Sequence, residues 1–229
     1  FTGNVPTDDY EEWIEAKKVN TTINLDYTKP ISENITLETG VETRLRRTDN
    51  LYNTGNPSFN NSTFSYDRNI YSFYTTFSQK LNKWQYNLGL RLEDYGVDSK
   101  FNETGEKPFI FKDKLFNIYP SGFLKYVSNE DQKNSYQLSF SRRIDRPSLN
   151  QINPIRQINT PQILITGNPA LVPQFTNSIE LNYTRKLING SFAIGGFYRK
   201  VYDEINRRGF FDENNPNLLI IDYDNFDIL

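Results

Sequence analysis

Cysteine, histidine and methionine are all missing from these 229 residues. Without cysteine there is no disulfide, no thiolate nucleophile and no thiolate metal site. Without histidine there is no imidazole base, no Ser-His-Asp triad and no His-ligated zinc. Methionine is absent and Phe1 comes first, so the sequence reads as an internal piece of a longer chain, or one matured by cleavage. No signal peptide is visible. A basic excess is lacking too: 26 Lys and Arg stand against 28 Asp and Glu, for a net charge of −2. Nothing in that balance would track a phosphate backbone, which excludes nucleic acid as a partner. Long apolar runs are also missing. Hydrophobic residues make up 36% of the chain and mean hydropathy is −0.69. No stretch reaches the roughly 18 apolar residues of a transmembrane helix. A β-barrel escapes that test, because only every second residue of its strands meets lipid.

What is present in quantity is aromatic residues, 15% of the chain with 15 Tyr and 17 Phe. That is heavy for a soluble domain and ordinary for a barrel with aromatic girdles. Alternation is the second abundant feature. In "NITLETGVETRL" (34–45), Ile35, Leu37, Thr39, Val41, Thr43 and Leu45 take one face and Thr36, Glu38, Gly40, Glu42 and Arg44 the other. A period of two is the side-chain period of a strand. The same alternation predicts strands at 17–29, 69–81, 84–94, 114–127, 135–142, 177–187, 191–205 and 218–229, nine in all. Pro120 suggests a local edge or bulge. The 191–205 run is apolar on both faces, which leaves its facing open. Most runs approach the nine to eleven or so residues of a tilted membrane strand, whereas soluble strands peak near about five or six.

The connections alternate in length. "KPISEN" (29–34), "KLNK" (80–83), "SNEDQKN" (128–134) and "LING" (187–190) are short turns. Between them lie long polar segments, 49–68, 95–113, 143–176 and 206–217, read as loops. Strict alternation puts every short turn at one end of the sheet, as in membrane barrels with short periplasmic turns and long external loops. A soluble glycan-binding β-sandwich has no reason to alternate this way.

The reading is therefore all-β: an antiparallel transmembrane β-barrel, of which 1–229 supplies part of the wall as one barrel domain. The apolar face meets the lipid bilayer. Ionised groups in mid-strand are costly in a dry core and inexpensive along water. Glu38, Glu42, Arg44, Arg91, Glu93 and Glu180 are accordingly the candidate lumen-facing residues. They could line a transport path, but lumen ion pairs that seat a plug or hold the wall's shape are the better reading. Trp84, Tyr86 and Tyr136 lie at strand ends beside short turns, where an aromatic girdle outweighs sugar stacking.

Residues 139–183 carry an ordered set of marks: Arg143 and Ile144, Arg146-Pro147, Asn153-Pro154, Gly167-Asn168-Pro169, Leu171, Pro173, then Glu180-Leu181. Gly89 to Glu93, Phe197 to Lys200 and Ile205 support it on either side. This set resembles the outer-membrane β-barrel family of TonB-dependent receptor-like proteins. One departure is Gln174, where that family usually carries an acidic residue after the proline. The resemblance implies a larger barrel of about 22 strands, closed by a plug domain of the same chain and driven through TonB. The plug and the TonB-contacting part are expected outside this sequence. It further implies import of a scarce or bulky substrate, with a surface lipoprotein or other outer-membrane subunits as possible partners. The alternative is a non-transporting barrel subunit that acts as a scaffold in an outer-membrane complex.

No catalytic constellation is visible. The neighbouring pairs Asp8-Asp9 and Glu11-Glu12 read as solvated loop charge. "DENNPN" (212–217) has the oxygen-rich composition of a calcium loop but lacks its glycine and terminal glutamate. No cofactor and no metal is expected, and Asn-x-Ser/Thr triplets such as Asn61-Ser62-Thr63 are expected by chance in an Asn-rich chain. The prolines of 143–176 could stiffen a ligand-contacting loop, but folding the loop back over the barrel mouth explains them with turn chemistry alone.

Overall fold

The computed structural model describes residues 11–55, 57, 60–128, 133–160, 162–213 and 215–226. Eight antiparallel strands form one sheet in the spatial order β1 (Glu12–Ser32), β2 (Ile35–Thr54), β3 (Ser62–Leu81), β4 (Trp84–Glu103), β5 (Phe109–Val127), β6 (Asn134–Asp145), β9 (Gln174–Leu187) and β10 (Gly190–Tyr202). Between β6 and β9 the chain forms one helical turn, α1 (Leu149–Ile152), and two short strands, β7 (Gln157–Thr160) and β8 (Ile163–Ile165). These join β11 (Glu204–Phe211) and β12 (Leu219–Phe226) in a second sheet, ordered β11-β12-β8-β7. Among the described residues the large sheet does not close on itself, and β1 and β10 are its two edges.

Two expectations need correction. The predicted strand at 218–229 is not a wall strand: β12 pairs antiparallel with β11 and parallel with β8. Among the described residues the wall thus has eight strands rather than nine. Moreover, 49–68 and 95–113 are mostly strand rather than loop, with β2 running to Thr54, β3 starting at Ser62, β4 ending at Glu103 and β5 starting at Phe109, and the first half of 206–217 is strand too, in β11. β2, β3 and β4 are each 20 residues long, roughly 65 Å at about 3.3 Å per residue. That is about twice what the hydrocarbon layer requires.

The reason is a phase inversion. Near the short turns the apolar residues hold one face, with Ile23, Phe73, Leu88, Phe116, Ile118, Leu138, Leu181 and Ile194 all exposed. So much exposed apolar surface marks a face that meets something other than water. Further up, the apolar residues switch parity. Tyr52, Phe64, Tyr66, Ile70, Tyr95 and Val97 lie on the opposite, polar face and are buried there. The upper outer face carries Arg47, Asp67, Asp98 and Lys112 instead, with Lys112 Nζ 2.5 Å from Asp98. Backbone pairing runs unbroken through the switch. A reading that follows one apolar face loses the strand where the apolar residues cross over.

The buried upper face is covered by the chain's own 146–173 segment. Ile152, Ile155 and Leu171 pack against Phe64, Tyr66, Ile70, Tyr95 and Val97 in one core, with Ile205 and Tyr223 of the second sheet at its border. Pro120 marks where the wall opens for this segment. The β5–β6 ladder runs from Val127 to Ser121 and stops one residue short of Pro120, which has no N–H to continue it. β4 and β5 remain paired across Leu90 and Pro120. Pairing also settles β10: Ile194 stands opposite Tyr183 on the apolar face, and Phe197 opposite Glu180 on the polar one.

At the short-turn end, Trp84, Tyr126, Tyr136 and Tyr183 occupy one rung across four adjacent strands. Their ring centroids are 4.5, 6.3 and 5.0 Å apart in sequence across the rung. Amphipathic rings at one height suit a membrane–water boundary. Tyr126 touches both neighbours, and each such contact contributes about 0.5–1.5 kcal/mol. Tyr126→Ala is expected to lower unfolding stability in detergent micelles by about 1–3 kcal/mol, while Tyr126→Phe stays near wild type; equal midpoints for all three in urea would refute the stacked rung.

Candidate functional site

The most organised polar cluster lies on the polar face of β2, β3 and β4, where the phase inverts. Alternation places Glu42 and Arg44 on β2 and Arg91 and Glu93 on β4 on this face, with Ser72 of β3 between Glu42 and Glu93. Arg44 Nε lies 2.8 Å from Glu42. Arg91 donates from Nη2 to Glu42 and from Nε to Glu93, both at 2.7 Å. It also donates to Ser72 Oγ at 2.7 Å. Arg146, at the start of the covering segment, donates to the other Glu93 oxygen. Charges therefore alternate along a chain, Arg44–Glu42–Arg91–Glu93–Arg146. Glu93 is 4% exposed, and burying a carboxylate at such a place without these donors would be costly.

Aromatic rings complete the setting. Arg91 stacks 5.2 Å over Tyr74 and Arg146 5.3 Å over Tyr95. Tyr74 lies across Gly40 of β2 and donates its hydroxyl to Asp26 of β1. A Cβ at position 40 would sit 2.5 Å from the Tyr74 ring, so glycine is what lets the ring lie flat there.

The covering segment is built from the residues that carried the family resemblance. Pro147 is buried after Arg146. Ser148 opens α1, its N–H donating to Gln151 Oε1 at 2.8 Å. Gly167 packs on Asn153: its N–H donates to the Asn153 carbonyl at 2.9 Å, and an added Cβ would lie 2.5 Å from that same oxygen. Asn168 donates its backbone N–H to Gln151 O at 2.7 Å and its side-chain amide to Tyr223 O at 3.1 Å. Thr166 Oγ1 donates to Pro154 O at 3.0 Å. Pro169 is half-buried and Pro173 wholly buried. The Asn-Pro and Gly-Asn-Pro marks are thus two strands of one knot, and Arg146 ties it to the wall. Gln174, the departure from the family pattern, accepts the Ile205 N–H at 3.1 Å.

Other predicted residues stand apart. Glu38 and Glu180 share the polar face but are exposed, and among the described residues no ion pair joins either to the chain of charges. Arg143 is exposed on β6. In 212–217, Asp212 Oδ1 and Asn215 Oδ1 accept the N–H groups of Asn215 and Asn217 at 2.9 and 3.2 Å, so those oxygens shape a turn. Asn214 of that stretch, residues 129–132 of a short turn, and Asp8 and Asp9 lie outside the described residues. In the second sheet Arg208 grips Asp222 at 3.0 and 2.7 Å; the bond to this carboxylate outweighs the opposing effect of burial and holds the guanidinium above its ordinary value.

Sequence reasoning set Ser72 and Tyr74 opposite Tyr71 and Phe73 without singling them out for the site, and it did not place Arg46 and Arg68 on this face. Their parity relative to Glu42 was the available signal. The tie between Arg146 and Glu93 had none, because 53 residues separate them.

The profile of one protein family, described as the outer membrane protein beta-barrel family, matches residues 2–228. No curated protein matches the chain. Solved structures do. The hemophore receptor HasR of Serratia marcescens, solved with its hemophore HasA and heme, aligns with a TM-score of 0.64 at 9% identity, over 94% of this chain and 38% of that one. The ferric yersiniabactin uptake receptor FyuA of Yersinia pestis aligns with a TM-score of 0.62 at 10% identity, over 87% of this chain and 33% of that one. The ferric-catecholate import receptor Fiu of E. coli K12 gives 0.53 at 11%, over 93% and 34%. The likeness is one of fold, and the chain spans a little over a third of these receptors at most.

Two outcomes test the site. Glu93→Gln leaves Arg146 and Arg91 short of a buried partner, a loss of about 3 kcal/mol. Trypsin is expected to cut after Arg156 at least about tenfold faster in that variant, and Glu93→Gln with Arg146→Gln is expected to cost less than the two changes summed; strict additivity would mean the pair is not coupled. Gly167→Ala forces the Asn153 backbone aside and is expected to cost about 1–3 kcal/mol, read as a lower urea midpoint, whereas Gly190→Ala, with open space around its Cβ position, should sit near wild type.

Proposed function

We propose, because the chain belongs to the outer membrane protein beta-barrel family, that it forms wall and external vestibule of an outer-membrane receptor that imports a scarce or bulky substrate. The chain lies in the outer membrane. Its apolar face meets lipid and its polar face lines the lumen. The observation that carries the reading is the covering segment. A wall twice the height of the membrane, lined above by its own docked chain through Ile152, Ile155, Leu171 and Arg146, makes a shaped vestibule rather than an open pore. A vestibule of fixed shape suits selective capture. No bond of the substrate is made or broken here. Passage then requires a moving part elsewhere in the polypeptide: a plug domain, worked through TonB. The charge chain from Arg44 to Glu93 offers a seat for that plug, and a surface lipoprotein could close the vestibule from outside.

Peptide mapping of the intact source polypeptide, together with solute accumulation in the native bacterium, tests this. The expected result is a plug-sized segment with a TonB-contacting stretch before Phe1, and accumulation that stops on gene deletion and on collapse of the proton gradient. A barrel with no plug, and accumulation unchanged by deletion, would overturn import and leave the scaffold reading, to be followed by cross-linking to partner subunits.

A further inference from the structure

Beside the charge chain, the same face holds two arginines without a counter-charge. Arg46 of β2 and Arg68 of β3 stand directly opposite each other in register. Like charges placed this way destabilise a sheet. Both side chains are half-buried, and Arg46 Nε is fully buried with no hydrogen-bond partner. Among the described residues neither guanidinium has a carboxylate partner. Of the carboxylates on this face, Glu42 is engaged by Arg44 and Arg91 and Glu93 by Arg91 and Arg146, while Asp113 shares the rung of Arg68 but stands two strands away, beyond Val97. Asp26 holds Asn24 and Tyr74. Arg68 feels the positive charge of both Arg46 and Arg146, and the electron-rich Tyr66 and Tyr95 phenols lie beside it. The ion pairs of Glu42 and Glu93 thus take up Arg44, Arg91 and Arg146 and leave Arg46 and Arg68 outside them.

A buried donor left unpaired and a like-charge pair held in register each cost stability, and together they need a compensating group. A group that compensates both is an anion. Guanidinium forks match the planar or tetrahedral oxygens of carboxylates and phosphates, bonding them in bidentate fashion. We propose that Arg46 and Arg68, backed by Arg146, form a subsite for a small solute bearing carboxylate or phosphate groups. This deepens the receptor reading and rests on it for access from the vestibule. Partial burial strengthens the attraction by excluding water, while the remaining exposure gives a solute a way in. The docked segment bears on selectivity: Arg146 joins the subsite only while it is tied to Glu93.

The test is binding to the intact receptor polypeptide in detergent, with citrate and pyrophosphate as probes, followed by calorimetry and thermal unfolding. It needs no transport, so import can fail while this succeeds, and the reverse. The expected result is binding of one or both probes that weakens at least about tenfold in Arg46→Gln and Arg68→Gln. Arg68→Lys, which keeps the charge and loses the fork, should fall between and guards against misfolding of the neutral variants. Without probe, Arg68→Gln should unfold at a higher temperature than wild type, because the repulsion is gone. Failure of both probes to bind wild type, or binding that both Gln variants retain, would overturn the subsite. So would a lower unfolding temperature for Arg68→Gln without probe, which would mean that an acidic side chain of the same polypeptide already fills the place.

Discussion

Everything in this fold depends on one constraint: a strand that crosses lipid must pair every backbone N–H and C=O with a neighbouring strand, because the hydrocarbon offers no other partner. The antiparallel ladder answers it, and it runs without interruption through β1 to β4. Once the ladder is set, side chains are free to specialise by face. The apolar face becomes the lipid contact, with its aromatic rung at the short-turn end. The other face can carry charge.

That freedom explains the arrangement on the polar face. Glu93 would be untenable in a dry core, yet here it takes bonds from Arg91 and Arg146 and is screened from solvent by the segment that Arg146 begins. The ion pair and the apolar core of Ile152, Ile155 and Leu171 serve the same end by different physics. Apolar burial gives the segment most of its holding energy, at about 1.5–3 kcal/mol per large side chain. The charged bond is directional and fixes which way it lies. Packing alone would leave the segment free to slide along a face that is apolar over several rungs.

The wall also changes character with height. Below the switch its outer face is apolar and its inner face polar; above it, the outer face is charged and the chain's own loop covers the inner one. Ile70 and Tyr71 are neighbours in sequence, yet Ile70 is buried under the loop and Tyr71 is half exposed on the lipid face. A single strand therefore serves two solvents. The likeness to larger receptors at 9–11% identity fits a fold held by this pattern rather than by particular residues.

Alternation alone was enough to read the wall from the sequence. The apolar face of Leu37, Val41, Phe73 and Leu88 and the opposing row of Glu42, Arg44, Arg91 and Glu93 follow from a period of two, which is a local property of each strand, and the short turns at one end follow from the alternating lengths of the connections. The sequence did not reveal where strands end or which distant residues meet. Residues 49–54, 62–68 and 95–103 keep pairing after the apolar phase has flipped, because backbone hydrogen bonds do not depend on which side chains are apolar. β12 reads like a wall strand, yet it lies parallel to β8 in the second sheet, since alternation names a strand but not its neighbour. The closeness of Arg146 to Glu93 and of Gly167 to Asn153, and the confrontation of Arg46 with Arg68, are decided by register and loop docking. Those depend on contacts between segments far apart in the chain, and only the folded molecule brings them together.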